Sequence, residues 1–193
     1  MYLRNRIMMA AIDEASERGI KFTMNDLARR LAVSKSTLYE HFDSKEELIG
    51  AIIDTLVADL RRQEQEITSN NTLSFSEKFK SLLSCHPKTL GIQSERFMDD
   101  VKRYMPGEWA KMEAFIDNRW RMIEDLLRQG IEAGYFRPVN LAVVQRILFG
   151  AVNELLDYKF LMQNNLTILD AIAAAFDILI LGMAVPAKTG DHI

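Results

Sequence analysis

The sequence predicts an all-α chain: three helices at the N-terminus, a long fourth helix, and about five more. Three observations predict it. A 3.6-residue apolar period runs through nearly every segment, and no run alternates as a strand does. Helix-start pairs recur, a Ser or Thr followed three positions on by a carboxylate: Thr23 with Asp26, Ser44 with Glu47, Ser74 with Glu77, and Thr167 with Asp170. Breakers are sparse, with four prolines and nine glycines in 193 residues, so long helices are allowed.

In order along the chain, residues 3–18 form an amphipathic helix with Leu3, Ile7, Ala10, Ala11 and Ala15 on one side, stopped by Gly19. Thr23 caps a second helix to about Leu31, and Ser34 caps a third from Lys35 to His41. Ser44 and Glu47 open the fourth, which runs to about Thr68, and any hinge between head and body falls near its middle. Ser74 starts a fifth that ends before Pro87, and Ser94 caps a sixth to Tyr104. Pro106 suits the first turn of a seventh closing near Gly134. Asn140 caps an eighth to about Met162, Thr167 a ninth to about Ala184, and the tail from Pro186 to Ile193 is expected to fray.

Composition narrows the class. The single cysteine, Cys85, forms no intrachain disulfide and reads as a small buried hydrophobe before a redox sensor, so a reducing cytoplasm is expected. The first residues lack an apolar signal core, and the longest apolar stretch, 171–185, is short for a bilayer and carries Asp177; neither export nor a membrane is expected. Net charge is −3, but residues 1–45 carry eight Lys/Arg against six Asp/Glu. That asymmetry permits nucleic-acid binding by the N-terminal part without establishing it.

The decisive pattern spans residues 23–42. Leu27, Leu31, Val33, Leu38 and Phe42 are spaced as the small core of two short helices joined by a tight turn, with Ala28 small where the helices must approach. Such a helix-turn-helix presents its second helix to a major groove. Lys35, Ser36, Thr37 and Tyr39 then lie outward, with the Ser34 hydroxyl and free backbone N–H groups at the helix start, a set suited to phosphates and base edges. Thr23 and Lys45 border the motif as further phosphate contacts. Asn25 either touches phosphate or faces water, and His41 either donates to phosphate or ties the third helix to the fourth. Arg4 and Arg6 read as a solvated pair before a groove-reaching arm. Glu40 repels phosphate unless it accepts from a cytosine amino group, and solvent is the expected environment.

The run Val33-Ser34-Lys35-Ser36-Thr37-Leu38-Tyr39-Glu40-His41-Phe42-Asp43-Ser44-Lys45-Glu46-Glu47-Leu48, with Leu27-Ala28 and Gly19 before it, resembles the head of the TetR family of bacterial transcriptional regulators. The close resemblance covers roughly residues 3–50, and the rest matches only as a pattern of long helices. One departure is Ala32, where the family has glycine at the turn; alanine there must avoid the left-handed region or accept strain. The resemblance implies a DNA-binding domain at 1–50 and a ligand-binding and dimerisation domain at 51–193. It implies a homodimer on a palindromic DNA operator, and a repressor released by a small-molecule effector.

Two residue sets follow for the body. Phe97, Met98, Tyr104, Trp109, Met112, Phe115, Trp120 and Phe149 are either an adaptable ligand chamber or plain core. Leu148, Leu155, Ile172, Phe176, Leu179, Ile180 and Met183 are expected in the dimer interface, because the last helix is apolar nearly all round and needs cover on more than one side. Enzyme readings find no support: His41, His86 and His192 lack metal-ligand spacing, and no nucleophile elbow, phosphate loop or dinucleotide turn is present, so no metal or cofactor is expected. The competing reading is a helical protein-interaction module whose helix-turn-helix does not bind DNA.

Overall fold

The computed structural model describes residues 2–88, 95–155 and 157–185. Among them ten helices form: α1 (Tyr2–Arg18), α2 (Met24–Leu31), α3 (Lys35–Tyr39), α4 (Lys45–Ser69), α5 (Phe75–Leu83), α6 (Glu95–Tyr104), α7 (Pro106–Glu132), α8 (Leu141–Leu155), α9 (Tyr158–Asn164) and α10 (Ile168–Met183). No strand is found among these residues, only an isolated antiparallel bridge between Phe136 and Ala184. No helix among them is long and apolar enough to cross a membrane. The expected Ser94 cap and the fraying tail from Pro186 lie outside the described residues.

The expected eighth helix is two. Asp157 interrupts it, its carboxylate accepting from the Lys159 N–H at 2.8 Å to cap α9. Asn165 then closes α9 in the left-handed region, with φ 52°. Periodicity alone hides this break, because apolar residues continue on both sides of it.

The chain packs as two compact units. The first comprises Met1–Gln63 with His86–Asp117, the second Glu64–Cys85 with Asn118–Ile193. In the first, Ile7, Ala11, Leu27, Leu38, Phe42, Leu48, Ile49, Ile52, Ile53, Phe97 and Val101 are fully buried. The end of α1 is closed by α6: Gly19 turns out of the helix at φ 79°, the Ile20 N–H donates to Asp100 at 2.7 Å, and Arg96 donates to the Glu17 carbonyl at 2.9 Å. Residues 86–88 are held to α4 by Gln63 donating to the His86 carbonyl and by the Lys88 N–H donating to Asp59.

The second unit is built on Phe79, Leu82, Ile123, Leu126, Leu127, Phe136, Val144, Leu148, Phe176 and Met183. Gly130 is required on α7, since a Cβ there would sit 2.4 Å from the Phe136 ring. The connector from Tyr135 to Arg137 binds the end of α10: the Arg137 N–H donates to the Met183 carbonyl at 2.8 Å, and the Val185 N–H to the Tyr135 carbonyl at 3.0 Å. Lys80 on α5 pairs with Asp177 on α10 at 2.8 Å, and the Glu64 carboxylate takes the Arg119 guanidinium.

Candidate nucleic-acid interface

Local chemistry builds the head. The Thr23 hydroxyl accepts from the Asp26 N–H at 3.2 Å, while the Asp26 carboxylate takes the Thr23 N–H at 2.8 Å and its hydroxyl at 2.7 Å. These bonds hold the Asp26 carboxyl below the usual carboxylate range, the Thr23 side-chain bond contributing most and the backbone bond next. A reciprocal cap of this kind satisfies donors that the first helical turn leaves unpaired. At the other end of α2, Ala32 is left-handed, with φ 53° and ψ 42°. The Val33 N–H reaches back to the Ala28 carbonyl at 3.0 Å and the Ala32 N–H to the Arg29 carbonyl at 3.2 Å. This is a Schellman closure made without glycine, so the strained alternative is the one adopted.

The turn delivers α3. The Ser34 hydroxyl accepts from the Thr37 N–H at 3.0 Å and shares a 2.8 Å bond with the Thr37 hydroxyl. Leu38 is fully buried and Phe42 nearly so, while Ser34, Lys35, Ser36 and Tyr39 are exposed and Thr37 is half-buried. The Lys35 ammonium lies 5.6 Å from the centre of the Tyr39 ring, so the two outward side chains form one surface. Glu40 is exposed at the C-terminal end of α3, in solvent as expected.

The flanking residues divide. Thr23 and Asn25 are exposed in the first turn of α2. Lys45 is not a free point charge: its ammonium donates to the carbonyls of Ile20 at 2.8 Å and Phe22 at 3.2 Å, clamping α4 to the α1–α2 loop. His41 is half-buried, and its carbonyl accepts from Arg4. The Arg4 guanidinium also stacks 4.0 Å over the Phe42 ring, which corrects the reading of Arg4 as a solvated side chain. Sequence reasoning also missed Arg30. Its guanidinium joins α2 to α1 through Glu14 at 3.1 Å and Glu17 at 2.9 Å, which raises its own pKa and lowers that of Glu17. The signal was present in Asp13, Glu14 and Glu17 opposite a basic pair, but only the packing of α1 against α2 decides that Arg30 is the partner.

The body residues are more scattered than expected. Phe97, Met112 and Phe115 are buried in the first unit, as core. Met98 is half-buried, Tyr104 is exposed, and the Trp109 indole N–H donates to Glu113 at 2.8 Å. Trp120 and Phe149 belong to the second unit and pair at 6.2 Å, with Phe149 turned to solvent. None of the eight lines either of two clefts that open on the described residues of that unit. Of the residues expected in a dimer interface, Leu148, Phe176 and Met183 are spent inside the unit's own core, while Leu155, Ile172, Leu179 and Ile180 are half-buried. The apolar side chains left open on α8 and α10 are others: Val143, Ile147, Ile178 and Leu181, the last two 73% and 77% exposed. A cleft of about 370 Å3 lies along this face, floored by Val144, Leu179 and Met183.

Comparison with known proteins agrees with this geometry. Residues 7–52 match the family model of bacterial regulatory proteins, tetR family. The uncharacterized HTH-type transcriptional regulator YvaF of Bacillus subtilis is 27% identical over 178 residues, covering 92% of this chain and 94% of that protein. Residues 7–52 are thus a TetR-type helix-turn-helix head, and the chain is a DNA-binding transcriptional regulator. The HTH-type transcriptional repressor KstR2 of Mycobacterium tuberculosis is 26% identical to this chain over 151 residues, 75% of each. The TetR-family regulator PfmR of Thermus thermophilus shares its fold, with a TM-score of 0.72 at 24% identity over 91% of this chain and 97% of PfmR.

Proposed function

We propose that this regulator is a repressor that binds a palindromic operator as a homodimer and is released by a small-molecule effector. Residues 1–50 are the DNA-binding domain and 51–193 the ligand-binding and dimerisation domain, and the protein works in the cytoplasm. The observation that carries the reading is the split face of α3. Leu38 is wholly buried while Lys35, Ser36 and Tyr39 stand in solvent, so the helix spends one side on the fold and keeps the other for a partner. Lys35 and Tyr39 meet phosphate oxygens and Ser36 and Thr37 approach base edges, with Thr23, Asn25, Ser34 and His41 at the margin. Lys45 acts mainly by holding the α1–α2 loop in place.

Two copies related by a two-fold axis place two such helices in successive major grooves. The open stripe of Val143, Ile147, Ile178 and Leu181 supports pairing through α8 and α10. An effector acts only through its different affinity for the DNA-competent and released states. Small amphipathic molecules that raise the melting temperature and weaken DNA binding identify its class. The test of the head is Lys35→Ala and Tyr39→Ala, measured on a duplex selected from random DNA by the wild-type chain. Each variant should bind at least about tenfold more weakly while the dimer persists; unchanged affinity in both refutes the assignment. An interaction module would instead show no salt-dependent DNA binding at all.

A further inference from the structure

On the surface of the first unit, the α1–α2 loop meets the C-terminal turn of α6. The Lys21 ammonium lies 6.0 Å from the centre of the Tyr104 ring, and the Arg103 guanidinium 5.4 Å from the same ring. One residue earlier, the Lys102 ammonium lies 5.5 Å from the Trp109 ring. Lys21, Lys102, Arg103 and Tyr104 are all exposed. Lys45 adjoins them, because its ammonium grips the carbonyls of Ile20 and Phe22 on either side of Lys21. Opposing charge is present as well: Asp100 keeps its charge while accepting from the Ile20 N–H, whereas Glu108 pairs with Lys111 at 2.8 Å. Asp99, exposed one turn earlier, and Glu113, bonded to the Trp109 indole, offset part of the cluster.

A run of cations resting on aromatic faces is pre-oriented, so less side-chain freedom is lost when it meets a polyanion. Its place in the fold selects which polyanion. Lys21 stands two residues before the Thr23 cap of α2, and Lys45 opens α4, so the cluster continues outward from the border of the helix-turn-helix. We infer that Lys21, Lys102, Arg103 and Tyr104 form a second DNA-contacting surface, which takes the phosphate backbone flanking the base pairs read by α3. The inference rests on the DNA-reading head proposed above. Backbone contacts carry no sequence information, so this surface lengthens the footprint and adds affinity without altering the sequence preferred.

The test uses the full-length chain and the duplex it selects from random DNA, made once with flanks of about ten base pairs, roughly one helical turn, and once trimmed to the half-sites. The variant is Lys102→Gln with Arg103→Gln, both exposed, with folding checked by circular dichroism and melting. Losing two phosphate contacts should lower the slope of log affinity against log salt by about 1.8 per protomer. For each protomer that corresponds to a loss of up to about thirtyfold at 0.15 M salt, which two protomers multiply, and a loss of at least about fivefold is expected on the flanked duplex. On the trimmed duplex the variant should bind like wild type. Equal binding to the flanked duplex overturns the inference, as does an equal loss on both duplexes. So does an equal loss from Arg128→Gln with Lys159→Gln, which removes two exposed cations from the other unit. If Lys35→Ala and Tyr39→Ala leave binding intact while this variant loses the flanked duplex, the head assignment fails and the surface stands. Selection of no duplex by the wild-type chain overturns both.

Discussion

Arg30→Met tests how α1 and α2 are held together beneath the recognition helix. The Arg30 guanidinium contacts Glu14 at 3.1 Å and both oxygens of Glu17 at 2.9 and 3.1 Å. The Glu14 side chain is only 5% exposed, and a second cation, Arg18, stands 3.8 Å away with 67% of its side chain in solvent. Removing one partner of a buried ion pair costs about 3–5 kcal/mol. Here Arg18 remains and the Arg30 site is 31% open, so water and Arg18 recover part of that, leaving roughly 2–3 kcal/mol. In a chain of this size each kcal/mol lowers the melting temperature by about 2–4 °C, so a fall of roughly 5–10 °C is expected. Glu14→Gln in the same background removes the stranded charge and should restore about half of the loss, a coupling of about 1–2 kcal/mol. Glu17 gives an independent readout. Its carboxyl is held below the usual range first by the Arg30 hydrogen bond and then by the Arg30 charge. A depressed carboxylate stabilises the fold above its unfolded pKa, and this contribution fades as pH falls through the folded value. In Arg30→Met the Glu17 resonance should titrate higher, in the ordinary range. A melting temperature within about 1 °C of wild type, or strictly additive single and double variants, would refute the argument.

Two further outcomes follow from the geometry. Ala32→Gly should stabilise the chain by about 0.5–1 kcal/mol in denaturant unfolding, since relief of the left-handed alanine outweighs the added freedom of the unfolded chain; a loss of stability would mean the Schellman turn is not strained. Ile178→Glu with Leu181→Glu should turn the proposed dimer into folded monomer by sedimentation at micromolar concentration. Each side chain is more than 70% exposed in the single chain and is buried twice in a two-fold interface; an unchanged mass would place the interface elsewhere.

The head was legible because its determinants are local. Thr23 with Asp26 and Ser34 with Thr37 act within one turn, and Leu38 and Phe42 are separated by one helical repeat, so their roles can be read without knowing the tertiary fold. The Ser44–Glu47 pair half succeeded: Ser44 does accept from the Glu47 N–H at 3.0 Å, but the Glu47 carboxylate turns to the Asp43 N–H instead. Arg4, Lys45 and Arg30 were misread or missed for one reason. Each is a long cation whose partner is a carbonyl, ring or carboxylate on another element, so an exposed-looking charge in the sequence becomes a clamp in the fold. Lys21 and Tyr104 escape the sequence in the same way, since only α6 packing on the end of α1 brings them together.

The body resists for a different physical reason. α10 is apolar on nearly every side, so periodicity cannot say which face turns inward. A helix advances about 100° per residue, which places positions two apart about 200° around the axis, on nearly opposite faces. Once Phe176 and Met183 enter the core of the second unit, Ile178 and Leu181, each two positions from one of them, are forced outward. The choice is made by partners elsewhere in the chain: Phe136 beside Gly130, and the 135–137 connector bound to the end of α10. The bulkiest residues of the last helix, Phe176 among them, therefore go to the core and not to a surface. The face available to a second subunit is what the core leaves over, and that remainder is fixed only when the chain has folded.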